Sequence, residues 1–125
     1  MLKILLIGLF GGLGSISRYL LGNLIHRHTG PAFPYGTLFV NILGCLAAGI
    51  AAALFTRLTI REDYQLAIAV GFLGGFTTFS AFGLQSFELL SAGQFPKALL
   101  YISLSFVLGI LAVFVGYGLP SRLLR

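Results

Sequence analysis

Arg18, Asn41, Thr77, Thr78, Ser80, Tyr101 and Ser105 are polar side chains set inside long apolar runs. Such groups cost free energy in hydrocarbon unless each finds a partner. Asn41 shares a helical face with Thr37, Gly44, Ala48 and Ala52. Its amide either ties helices together or donates hydrogen bonds to an anion without adding a competing charge. Arg18 shares a face with Gly11, Ser15 and Gly22. It either snorkels to the membrane interface or lines an aqueous vestibule that attracts anions. Tyr101 and Ser105, one turn apart, share a face with Gly109, Ala112 and Gly116. Their hydroxyls are either ordinary membrane-helix polar groups or a short polar track.

The stretch GGFTTFSAF, residues 74–82, sits in the middle of a charge-free run. Adjacent glycines and adjacent threonines are poor material for a helix centre. Irregular backbone at membrane depth is tolerated where protein buries it or where it lines a cavity. Broken helices expose carbonyls that hold cations and half-helix N-termini that favour anions. Ser80 or Thr78 would cap the second half-helix. Phe79 and Phe82, three apart, then project to one side. Aromatic rings are positive at the edge, so these two either touch an anion edge-on or simply pack.

The elements that must position these groups follow from composition. The chain has 125 residues, of which 58% are hydrophobic and 9% charged. Soluble domains average about 25% charged residues, so this is a membrane protein. Thr29–Thr56, Tyr64–Phe87 and Ala98–Ser121 carry no charge, and Ile4–Ile25 is interrupted only by Arg18. A bilayer crossing needs about 20 apolar residues. The runs lack the short alternation of barrel strands. The expectation is one all-α domain, residues 1–125, with four transmembrane helices near 3–25, 35–56, 64–90 and 97–119, the third of them broken. Four short helices hardly enclose a pathway alone, so an oligomer is expected.

The net charge is +5. The cations fall at span ends, where they meet lipid headgroups rather than nucleic acid. Lys3, Arg57, Arg61, Arg122 and Arg125 belong to one side, and Arg18, Arg27 and Lys97 to the other. Five against three barely orients the protein, which fits either a weak N-inside signal or insertion both ways. No sizeable basic n-region or small-x-small cleavage site marks a removable signal. Cys45 reads as a small buried residue. His26 and His28 read as solvated residues of the first loop, with no nucleophile or carboxylate nearby, so an enzyme is not expected.

GGLGSISRY (11–19), GTLFVNILGCLAAG (36–49) and GFLGGFTTFSAF (71–82) occur in this order across the chain. In these motifs the sequence resembles the Fluc, or CrcB-type, fluoride channel family. The resemblance implies a small dual-topology protein of the bacterial inner membrane that exports fluoride passively and lowers its toxicity. It implies an antiparallel dimer, homomeric or paired with a paralogue, with two fluoride pores at the interface. A central structural sodium ion would be held by the backbone carbonyls of Gly74 and Thr77. The resemblance puts Phe79, Phe82, Asn41, Ser80, Tyr101 and Ser105 along the pore and Arg18 in its vestibule. Ala81, Gly83, Gln85 and Gly109 depart from the family's polar pattern, which often has hydroxyls or a glutamate there. Two rivals are a proton-coupled small multidrug exporter and a non-transporting membrane subunit. The first needs an intramembrane carboxylate, and the first span has none. The second leaves a broken third helix unexplained.

Overall fold

A computed structural model describes residues 1–123, with side chains through Pro120. Arg125 therefore lies outside the described residues, as does the side chain of Arg122. The chain is all helical: α1 (Leu2–Thr29), α2 (Tyr35–Arg57), a third segment (Glu62–Ser91) and α6 (Phe95–Leu123). Each of the four is long and apolar enough to cross a membrane.

The segment ends follow local chemistry. α1 runs on until Gly30, whose φ of 74° and ψ of −179° suit glycine almost alone. Pro31 follows. His26 and His28, expected in a loop, lie instead in the last turn of α1, because nothing before Gly30 breaks the helix. Both are exposed. With Arg27 they set basic groups against the negative end of the helix dipole. Glu62 and Asp63 open the third segment at a positive helix end. Lys3 Nζ meets Glu62 Oε1 at 3.0 Å, joining the starts of α1 and the third segment, and Arg61 meets Asp63 at 2.9 Å. These exposed pairs add at most about 1 kcal/mol each.

Packing between helices runs through glycines rather than large side chains. A Cβ at Gly49 would overlap the Val113 carbonyl, and one at Gly116 the Leu46 carbonyl. α2 and α6 thus approach backbone to backbone. α1 meets the third segment the same way, with Gly14 against the Phe72 carbonyl. Large apolar side chains such as Leu13, Ile16, Leu111 and Phe114 point outward. That inverts the soluble pattern, as lipid permits. Val40 and Tyr101 are the large side chains most completely enclosed.

The third segment is irregular. α3 (Glu62–Leu66) passes into a π-helical stretch, Ala67–Leu73, and then a single turn, α4 (Gly74–Phe76). Thr77 (φ −85°, ψ 158°) and Thr78 (φ −148°, ψ 113°) are extended. Helix resumes as α5 (Phe79–Ser91).

Candidate functional site

Two extended residues in mid-segment must place their peptide groups somewhere, since a bare pair in hydrocarbon costs several kcal/mol. Thr77 N still donates to the Leu73 carbonyl at 2.9 Å, and Asn41 of α2 receives the two groups of Thr78. Thr78 N donates to Asn41 Oδ1 at 2.8 Å, and Asn41 Nδ2 donates to the Thr78 carbonyl at 3.1 Å. The side-chain amide stands in for a strand neighbour. An amide carries two N–H groups, so one is left over after this exchange. Ser15 of α1 supports the break from the opposite side, its Oγ donating to the Gly75 carbonyl at 3.4 Å.

Thr78 also caps α5. Its Oγ1 accepts from Ala81 N at 3.1 Å and lies 3.2 Å from Ser80 Oγ. Of the two hydroxyls proposed for the cap, Thr78 does the capping and Ser80 is its exposed neighbour. The diversions have a consequence for the carbonyls. In a continuous helix, Thr78 N would close on the Gly74 carbonyl and Ala81 N on that of Thr77. Both amides are given to side chains instead. Gly74 and Thr77 therefore keep carbonyl oxygens without their helical partners, and Gly74 is exposed.

A cleft of about 560 Å³ opens beside the break. Asn41, Gly74, Thr77, Thr78, Phe79, Phe82 and Ser105 all line it, together with Gly44, Cys45 and Ala48 of α2. The Phe79 and Phe82 ring centroids are 5.4 Å apart, tilted by 36°. Phe79 is 78% exposed, so one of its faces has no partner in the protomer. Phe82 is braced by Tyr101 at 5.4 Å and meets Phe106 edge-on at 5.8 Å.

A second cleft of about 360 Å³ lies on the other side of Thr78. Arg18, Ser15, Gly22, Asn23 and His26 of α1 face Thr37, Thr78 and Gln85 across it. No carboxylate forms a salt bridge with Arg18 among the described residues. Its charge therefore stays available to the cleft. Thr78 borders both clefts.

Tyr101 and Ser105 behave differently from a free polar track. Tyr101 is fully buried, and its hydroxyl donates to Gln85 Oε1 at 2.9 Å. Ser105 Oγ turns back onto the Tyr101 carbonyl at 2.7 Å. Gln85, read from sequence only as a departure, is thus the partner of Tyr101 and a wall of the Arg18 cleft. Sequence spacing carries no signal for that contact between separate helices. Apart from Arg18, Ser80 and Tyr101, the residues named from sequence gather on one cleft.

Residues 5–117 match the family described as "CrcB-like protein, Camphor Resistance (CrcB)". A protein of Phocaeicola vulgatus called "Fluoride-specific ion channel FluC" is 47% identical over 93% of this chain and 96% of its own. A Chloroflexus aurantiacus protein of the same name is 46% identical over 94% of each chain. A Thermus thermophilus namesake is 43% identical over 97% of each.

Proposed function

The chain belongs to the CrcB-like family, and from that membership we propose that it is a fluoride-selective channel of the cell inner membrane. Undissociated hydrofluoric acid crosses membranes and ionises in a more neutral cytoplasm; a passive pore lets the anion leave down its gradient. The reading is that of an ion channel rather than an enzyme.

Fluoride is small and tightly hydrated. A conducting site must replace its water with several contacts, none strong enough to trap it. Positive ring edges at Phe79 and Phe82 offer such contacts. So do the spare N–H of Asn41 and the hydroxyl of Ser80, while Ser105, its proton committed to the Tyr101 carbonyl, would have to turn from it to reach the ion. The polar groups at Tyr101 serve by holding the wall. Arg18 raises anion concentration in its vestibule without sitting at the aromatic pair. The observation that carries this reading is the cleft in which the Phe79–Phe82 pair stands beside a break bridged by Asn41.

The proposal includes an antiparallel pair of protomers with two pores between them. The 78% exposure of Phe79 supports this, since a pore wall needs a second side. It also includes a structural sodium ion at the centre of the dimer interface. Gly74 and Thr77 fit it, because their diverted carbonyls are hard oxygen donors that need no carboxylate. The ion would supply positive charge that fastens the two breaks together. The second subunit is either a copy of this chain or a paralogue. No observation favours a proton-coupled drug exporter: Glu62 and Asp63 are paired at the start of the third segment, and Glu88 lies near its end.

The test is efflux from liposomes carrying the purified protein. Fluoride release without chloride release is expected. Equal release of both ions, or of neither from a folded sample, rejects the proposal.

A further inference from the structure

Phe33 lies in the connection between α1 and α2, yet it is only 8% exposed. Its neighbours Pro31 and Ala32 are exposed. The connection is held down at both ends of this residue. Lys97 Nζ, from the start of α6, donates to the Ala32 carbonyl at 3.3 Å. Tyr35 N donates to the Phe33 carbonyl at 2.8 Å, and the Tyr35 ring tilts against Phe33 at 4.8 Å. Phe33 then meets Tyr101 edge-on, centroids 5.7 Å apart at 87°.

From Tyr101 the contacts run inward. The Tyr101 ring braces Phe82 at 5.4 Å, and Phe82 braces Phe79 at 5.4 Å. The Tyr101 hydroxyl holds Gln85 at 2.9 Å, on the wall of the Arg18 cleft. Phe33, Leu38 and Tyr101 form one buried cluster, with Phe82 packed against it. A connecting loop is usually the least constrained part of a helical protein, but here it supplies the outer stop of an aromatic stack. Phe82 itself is in ring contact with Phe79, Tyr101 and Phe106, and of these Tyr101 is the one that Phe33 touches.

We propose that Phe33 is a positioning residue for conduction: it sets Tyr101, and through Tyr101 the Phe82 ring and Gln85. This rests on the channel reading above. Phe33 touches no ion in this scheme. Its effect reaches the pathway through two aromatic contacts.

The experiment is fluoride efflux at low protein density, so that each vesicle holds one channel or none. The fraction of vesicles that empty counts assembled channels, and the rate of emptying reports throughput per channel. Phe33→Leu keeps an apolar filler but removes the ring edge. Its rate is expected to fall about two- to tenfold, the range that an aromatic pair's coupling converts to. The emptying fraction should hold. Phe33→Tyr should restore the rate, and Lys97→Met, which frees the loop, should lower it in the same sense. Combining Phe33→Leu with Tyr101→Leu, which removes the ring linking Phe33 to Phe82, should cost little beyond the larger single effect, because both break one chain of contacts. Phe39→Leu, on the exposed side of α2, should leave the rate unchanged. An unchanged rate for Phe33→Leu overturns the proposal. So does a loss confined to the emptying fraction, or full additivity with Tyr101→Leu. Wild-type protein that empties no vesicle defeats the channel reading itself, and the role of Phe33 falls with it.

Discussion

Replacing Asn41 by leucine tests the claim that one amide sustains the break. Leucine has the same heavy-atom branching as asparagine and a somewhat larger volume, so the substitution deletes two hydrogen bonds and opens no cavity. The bonds are those at 2.8 Å from Thr78 N and 3.1 Å to the Thr78 carbonyl. By soluble-protein figures, each orphaned buried group costs about 1–3 kcal/mol, or about 2–6 kcal/mol for the two. Membrane measurements are smaller, about 0.6 and at most about 1.7 kcal/mol per polar contact, because the unfolded reference in lipid also finds partners. For two bonds that gives about 1–3.5 kcal/mol. The membrane figure applies here, since Thr78 can turn toward other groups once its segment is released. The assay is reversible unfolding in mixed micelles with increasing sodium dodecyl sulfate. Asn41→Leu should lower stability by about 1–3.5 kcal/mol at unchanged transition slope. A loss under about 0.3 kcal/mol would show that other groups satisfy Thr78 and that the exchange with Asn41 is incidental.

Gly49→Ala sets a methyl against the Val113 carbonyl and should destabilise by about 1–3 kcal/mol. Gly8→Ala, with open space around it, should be neutral or slightly stabilising in the same unfolding assay. Phe79→Ile and Phe82→Ile should each slow fluoride efflux at least about tenfold, ~1.4 kcal/mol of barrier, while dimers survive on size-exclusion chromatography; unchanged efflux rejects their pore role. Exchange of sodium for a bulky organic cation during purification should cut efflux and weaken the dimer. Full activity without sodium removes the ion from the proposal.

Some of this was legible in the residues and some was not. The four spans were, because length and hydropathy alone decide what lipid accepts. The weak point at 74–82 was marked by paired glycines and paired threonines, and the extended dihedrals fall at Thr77 and Thr78. The commitment of Asn41 to Thr78 was not legible, since it links positions 37 apart and either partner has other plausible uses. The π-helical stretch Ala67–Leu73 also left no mark. Its register answers to tertiary contact, with Gly71 pressed against the Ile7 carbonyl of α1. The loop reading of His26 and His28 failed because charge and polarity suggested solvent, and a helix end can be as wet as a loop. Tyr101 read as one step of a polar track, whereas its burial depends on Phe33 and Gln85 arriving from two other elements.

Order of manufacture matters for the bridge at Thr78. A ribosome emits Asn41 first and Thr78 37 positions later, an interval of about 2–7 s at ordinary elongation speeds. When the irregular stretch leaves the translocon, the group that will pair its peptide is already in the bilayer. A rearranged gene that emitted the third segment before the second would leave that peptide without its Asn41 partner for the same few seconds.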